Sequence, residues 1–198
     1  MNVRYFSDVS WLWYDQLTDK YHPRHIIRID PHEASLLWKY VKITFKNVIE
    51  IGRMFGGSTV LILEALLPSN RKVYSIDQVD NIKNECKNYF LNNLNRVDLI
   101  NMSSQEAYKK IKFNTTDCIF IDGDHTYDGV KLDTELYWNF LDVNGYIIYH
   151  DHLHPKTSIN MHGIEPCDVY KFCHEWASKG KMDLIEQTHS MAVFKKIK

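Results

Sequence analysis

Two clusters of acids and histidines carry the residue types that chemistry needs. The run Ile119-Phe120-Ile121-Asp122-Gly123-Asp124-His125-Thr126-Tyr127-Asp128-Gly129 leaves a strongly apolar stretch and releases two acids and a histidine within four positions. Charged groups at the end of a buried segment are costly unless they have partners or a task, although a solvated loop is the plain alternative. His150-Asp151-His152 follows the apolar Tyr146-Ile147-Ile148-Tyr149 in the same manner. Where two such segment ends adjoin, Asp122, Asp151 and His152 converge. Two carboxylates and an imidazole suit Mg2+, Mn2+ or a similar ion better than an all-histidine zinc pattern. His125, an imidazole that titrates near pH ~6.5 when unperturbed, is the candidate base beside them. His154 and His162 add to the same neighbourhood as second-rank candidates, since loop histidines are more often solvated than ligating.

A second group of residues is suited to a nucleoside. Glu50-Ile51-Gly52-Arg53-Met54-Phe55-Gly56-Gly57-Ser58 follows an apolar strand with a glycine turn. Gly52 lets the chain leave the strand, and Gly56 and Gly57 permit close approach of a ligand to the main chain. A dinucleotide fingerprint would need G-x-G-x-x-G, whereas Met54 stands between Gly52 and Gly56. Asp77, 25 residues beyond Gly52 at the end of the next strand, is placed to accept hydrogen bonds from a ribose diol. Ser103-Ser104-Gln105 lies where an adenine edge would be met, and a capping box from Ser103 to Glu106 accounts for the same residues equally well.

Positioning these groups takes a regular alternation of elements. Short apolar strands are predicted over residues 47–52, 72–77, 98–102, 117–122 and 146–149, and helices over 32–44, 59–67, 82–94, 104–111, 129–141 and 169–178. Asn144-Gly145 reads as the turn before the fifth strand. Residues 182–185 and 191–194, with a polar stretch between them, read as a terminal hairpin. The prediction is an α/β, Rossmann-like, doubly wound fold. Its mostly parallel seven-stranded sheet ends in a C-terminal antiparallel hairpin and binds ligands at the strands' carboxyl ends.

The 198 residues fit a single domain, with residues 1–31 as an N-terminal cover and 45–198 as the core. A 44% hydrophobic and 25% charged composition supports a folded core, and a formal net charge of -1 offers no footprint for a nucleic-acid backbone. Cys86, Cys118, Cys167 and Cys173 lack CxxC spacing, and no charged leader or long apolar run opens the chain. The expectations are structural thiols, with Cys118 a small core residue, no membrane span and a reducing cytoplasm. Twelve tyrosines and five tryptophans speak for packing before an aromatic-lined pocket. Trp11 and Trp13 fit either a lid or a dimer contact, which leaves a homodimer open.

Taken together, the Glu50-Ile51-Gly52 turn, Asp77, Phe120 to His125 and Gly145 to Asp151 resemble class I S-adenosylmethionine-dependent methyltransferases. Within them the likeness is to the macrocin, caffeoyl-CoA and catechol O-methyltransferase group, over residues 48–152. The resemblance implies Gly52, Gly57 and Ser58 beside the methionine part of S-adenosylmethionine with Glu50 behind them. It further implies Asp77 on the ribose hydroxyls and Ser104 near the adenine, with Asp122 also among the cofactor-binding residues. In the metal-dependent branch it implies Mg2+ or Mn2+ on Asp122, Asp151 and His152, histidine replacing the usual Asn or Asp at the last position. The catalytic lysine of the catechol-type enzymes falls on His125. The expected activity is methyl transfer to the hydroxyl of a small-molecule acceptor, with Asp122 and His125 as catalytic residues. A catalytically silent cofactor-binding module, a partner subunit or a nucleotide-dependent oxidoreductase are the alternatives. The intact Asp122, Asp124, His125 and Asp151 argue against silence, and the missing fingerprint argues against the oxidoreductase. Acceptor choice falls to residues 1–31 and 153–166, which carry no readable motif.

Overall fold

A computed structural model describes residues 5–13, 26–153 and 168–198. Five strands run parallel: β1 (Val48–Ile51), β2 (Val73–Asp77), β3 (Val97–Asn101), β4 (Thr116–Ile121) and β5 (Leu141–Tyr149). The antiparallel β6 (Met182–Thr188) and β7 (Met191–Lys196) complete a seven-stranded sheet in the order β3-β2-β1-β4-β5-β7-β6. This is the predicted doubly wound architecture with its terminal hairpin. The order reverses between β1 and β4, where such sheets open a crevice. Register fixes what lies there: Ile51 pairs with both Ile76 and Ile121, and Ile121 with Tyr149. Gly52, Asp77, Asp122 and His150, each the last residue of its strand or the one just beyond it, therefore share one level at the sheet's carboxyl edge.

Alternation along the strands divides the core in two. Val48, Cys118, Phe120 and Ile148 pack under α1 (Pro31–Lys42), α2 (Gly57–Ala65) and α3 (Asn84–Leu91). Ile49, Ile119, Ile121, Ile147 and Tyr149 pack under α4 (Ser104–Lys110), α5 (Tyr127–Tyr137) and α6 (Val169–Ser178). All nine residues of α2 are buried, so it carries no polar face. Asp30 caps α1 by accepting from His32 N at 2.7 Å and Glu33 N at 3.1 Å, and Glu33 returns the bond to Asp30 N at 3.0 Å. Ser103 and Glu106 form the same box on α4.

The structure departs from the sequence pattern in two places. The N-terminal cover holds a 3-10 helix, Phe6–Trp13, whose Val9 and Leu12 are buried. Phe6 packs on Trp13 and Trp38, and Trp13 Nε1 donates to Ile29 O at 2.9 Å. Trp11 and Trp13 are half-buried against the domain's own core rather than presented outward. β5 begins at Leu141, ahead of the predicted turn; Asn144 takes φ +70 within the strand, beside a register shift between Thr116 and Cys118. Cys86, Cys118 and Cys173 are buried, Cys118 in the core as expected; Cys167, His154 and His162 lie outside the described residues. Among the described residues no helix is long and apolar enough to cross a membrane.

Candidate functional site

A cleft of about 1760 Å³ opens over the carboxyl edge of the sheet, with the β1–α2 turn, Asp77 and Ser104 toward one end of the sheet order and Asp122, His125, His150 and Asp151 toward the other. The turn is anchored from below. Asp77 Oδ2 accepts from Arg53 N at 2.9 Å and Met54 N at 2.8 Å, while Oδ1 accepts from Val79 N at 2.9 Å. Arg53, to which the sequence pattern assigned no role, is 1% exposed; it donates to Ser75 O at 2.7 Å and to Asn101 Oδ1, pinning the turn to β2 and β3.

Glu50 does not line the cleft. Its carboxylate, fully buried beneath the turn, accepts from Ser58 Oγ at 2.6 Å, Thr59 Oγ1 at 2.5 Å and Ser75 Oγ at 2.6 Å. Burial raises its pKa against the pull of these hydroxyls and of Arg53. Ser58 lines the cleft with its hydroxyl committed to Glu50. Gly52 and Gly57 also line it, but their missing side chains make room for the chain itself: a Cβ on Gly52 would meet the Asp122 carbonyl, and one on Gly57 the Ile26-Ile27 backbone.

Ser104 Oγ donates to Asp133 Oδ1 at 2.5 Å on the far wall. Burial, helped by the charge of Asp124 and opposed by the Ser104 bond, raises the Asp133 pKa to about 6 from 3.8. A carboxyl whose folded pKa is raised is at no disadvantage below its unfolded pKa, and it loses stability as pH rises through the folded value. Asp133→Asn keeps an acceptor for Ser104 and removes the charge. It is expected to stabilise the protein by about 3 kcal/mol at pH 8, with the gain fading below about pH 4. Chemical denaturation at the two pH values measures this; an equal ΔΔG at both would refute the burial argument.

At the acid–histidine end, His125 Nε2 stands 3.5 Å from Asp122 Oδ1 and 3.2 Å from Asp151 Oδ2. One donor atom from each of these three residues lies within 4.8 Å of the others, compact enough for a metal ion. His150 approaches the same two oxygens: its Nδ1 is 3.0 Å from Asp122 Oδ1 and 3.1 Å from Asp151 Oδ2. Its Nε2 faces Glu33 Oε2 at 3.3 Å, and Glu33 Oε1 accepts from Ser190 N at 2.9 Å and Ser190 Oγ at 2.5 Å. Burial opposes the charge on His150, but Asp122 and its hydrogen bonds to Asp122, Asp151 and Glu33 carry its pKa well above 6.5. Burial likewise pushes Glu33 and Asp122 upward, and the histidines overrule it and hold both near 2. The bond to Asp122 raises the pKa of His125.

The expected ligand His152 is not in this group. Tyr149 and Ile148 alternate regularly, but Asp151 adopts φ +54 and breaks the strand's period. His152 is thereby turned toward the α6 side, fully buried against Tyr170, His174 and Phe194, and its pKa falls to about 4 through burial and the neighbouring His174. His150, not His152, stands beside Asp122 and Asp151. Sequence reading also missed Glu33 and Ser190. Asp30-Pro31-His32-Glu33 spells a capping box and could have marked Glu33 as a helix start, though nothing local to it announces the contact with His150, 117 residues away.

Residues 49–152 match a family model described as a methyltransferase domain. The uncharacterized protein R132 of Acanthamoeba polyphaga mimivirus is 29% identical over 116 residues, 52% of this chain and 50% of the viral protein. The chain thus spans about half the length of that curated relative. Among solved structures, the O-methyltransferase from Bacillus cereus in complex with SAH is similar at a TM-score of 0.67 and 19% identity, covering 86% of this chain and 82% of that one. The O-methyltransferase NovP is similar at 0.69 and 14% identity, over 89% and 84% of the two chains. At these identities the likeness is one of fold.

Proposed function

The chain belongs to the methyltransferase-domain family, and from that premise we propose that it moves a methyl group from S-adenosylmethionine to a hydroxyl of a small molecule. One observation carries the reading: Asp77 and Ser104 and the acid–histidine group of Asp122, His125 and Asp151 line the same cleft, at the switch point of the sheet. S-adenosylmethionine supplies a methyl group on a sulfonium, open to in-line displacement. The protein's part is alignment and removal of the acceptor's proton. Asp77 keeps acceptor capacity on Oδ1 for a ribose hydroxyl while it holds the turn, and Ser104 lies where the adenine would be met. His125, with its side chain 44% exposed in the cleft, is the group placed to take the acceptor proton, and Asp122 and Asp151 steady the imidazolium that results.

The donor set also fits a divalent cation. Asp122 and Asp151 offer carboxylate oxygens, and imidazole nitrogens face those oxygens from both sides. A cation held there would lower the acceptor hydroxyl's pKa as a Lewis acid. Calorimetric titration with S-adenosylmethionine tests the function. Saturable binding with one site per chain is expected; absence of binding, with and without Mn2+, would overturn it.

A further inference from the structure

We propose that Arg28 and the Asp30-held imidazole of His189 form an anion site on the wall of the cleft, taking a carboxylate or phosphate group of a molecule bound there. Both residues lie outside the span 49–152 that the family model matches. Burial alternates along this wall: Ile27 and Ile29 belong to the core, whereas Arg28 is exposed and Asp30 half-buried, both lining the cleft. The main chain there is fixed. Ile27 N donates to Leu12 O at 3.2 Å, Trp13 Nε1 donates to Ile29 O at 2.9 Å, and the backbone of Ile26 and Ile27 lies against Gly57.

The charges decide what such a wall can hold. Eight carboxylates line the cleft and repel an anion everywhere except beside a cation. Only two arginines, and no lysine, line it among the described residues, and Arg53 is committed to Ser75 O and Asn101. Arg28 makes no hydrogen bond or ion pair among the described residues, although acids surround the cleft. The acids of its own segment are already engaged. Asp30 accepts from His32 N and Glu33 N and bonds His189 Nδ1, and Glu33 holds Ser190 and faces His150. A guanidinium left open in this way presents a planar fork of donors that matches carboxylate or phosphate oxygens.

His189 comes to the same wall from the β6–β7 turn, its side chain 57% exposed and lining the cleft. Its bond to Asp30 raises its pKa, with the charge of Glu33 in support, and the His32 ring lies 5.1 Å away. With Asp30 on Nδ1, the imidazolium has Nε2–H left to donate. The site stands between the two ends of the cleft: Ile26 and Ile27 adjoin Gly57 of the glycine turn, and Ser190, next to His189, connects through Glu33 to His150. Two molecules carry the required chemistry there, S-adenosylmethionine through its methionine carboxylate and an acceptor through an anionic group of its own. Only the first of these sources rests on the methyl-transfer reading.

Two titrations test the site and separate the sources. Inorganic phosphate is added to the free protein and to its S-adenosylhomocysteine complex, with the His189 ring resonances followed by nuclear magnetic resonance. S-adenosylmethionine and its decarboxylated analogue, which keeps the sulfonium and the amine, are compared by calorimetry in wild type and Arg28→Ala. Because Arg28 has no partner to lose, the variant should unfold at the wild-type temperature. Phosphate is expected to shift the His189 resonances in wild type and not in Arg28→Ala. If the methionine carboxylate is the anion, Arg28→Ala weakens S-adenosylmethionine about 10–100-fold, leaves the decarboxylated analogue unchanged, and phosphate no longer binds the S-adenosylhomocysteine complex. If the anion belongs to the acceptor, S-adenosylmethionine affinity is unchanged and phosphate still binds that complex through Arg28, which makes the acceptor an anionic small molecule. Arg28→Ala that alters neither phosphate binding nor the preference for S-adenosylmethionine over its decarboxylated analogue overturns the proposal. Wild-type protein that binds phosphate through Arg28 but takes no S-adenosylmethionine defeats the methyl-transfer reading and leaves the anion site in place.

Discussion

Asp77→Ala is expected to weaken S-adenosylmethionine by at least about 100-fold in calorimetric titration. Three backbone donors end on this carboxylate: Arg53 N and Met54 N on Oδ2, Val79 N on Oδ1. Met54 sits at φ +47, a conformation an L-residue holds only when its surroundings insist. Removing the carboxylate therefore frees the turn as well as deleting the ribose acceptor. Hydrogen bonds to a charged partner contribute about 1.5–3 kcal/mol each, and losing two from the bound state corresponds to a factor of about 100 or more. Asp77→Asn separates the two effects. Its amide oxygen can still take Arg53 N and Met54 N, while its NH2 turns a donor toward Val79 N and the ribose. The turn should survive and an intermediate loss of affinity follow. Wild-type affinity in Asp77→Ala would mean that the cofactor lies elsewhere in the cleft.

Asp77 was legible because a buried parallel strand must read as an unbroken apolar run, so the first acid after it marks the strand's exposed end. The same rule located Asp122 and the His150-Asp151-His152 segment. It could not choose between His150 and His152, because that choice turns on one backbone angle at Asp151, where an L-residue adopts a positive φ. Glu33 was illegible for a different reason: its local role as the α1 capping partner is complete in itself, and its contact with His150 joins elements far apart in the chain. Glu50 and Ser104 show the limit on the polar side. The resemblance set Glu50 behind the turn and Ser104 near the adenine, but gave no sign that the folded chain commits Glu50 to three hydroxyls and the Ser104 hydroxyl to Asp133.

Gly52→Ala is expected to destabilise the protein by about 3–5 kcal/mol, the largest effect of any single methyl group added at the site. Gly52 holds φ +90, and a Cβ there would lie 2.0 Å from the Asp122 carbonyl oxygen and 2.9 Å from Gly123 N. Neither side can yield cheaply. Gly52 N donates to Ile76 O at 2.9 Å, and Asp122 N donates to Ile51 O at 2.8 Å, so relief requires the ends of β1 and β4 to part. The φ contributes about 1–3 kcal/mol and the overlap about as much again. At ~2–4 °C per kcal/mol for a chain of this size, the midpoint of thermal unfolding should fall by about 10 °C. Gly180→Ala supplies the control: it too has a positive φ, +64, but nothing lies within 4 Å of its added Cβ. The excess loss in Gly52→Ala over Gly180→Ala isolates the contact with β4. Because that contact sets where Asp122 leaves its strand, Gly52→Ala protein that remains folded should also bind Mn2+ more weakly. Equal destabilisation by the two substitutions would mean that the strand ends are not pressed together, and with them the level at which Asp77, Asp122 and His150 meet the cleft would be lost.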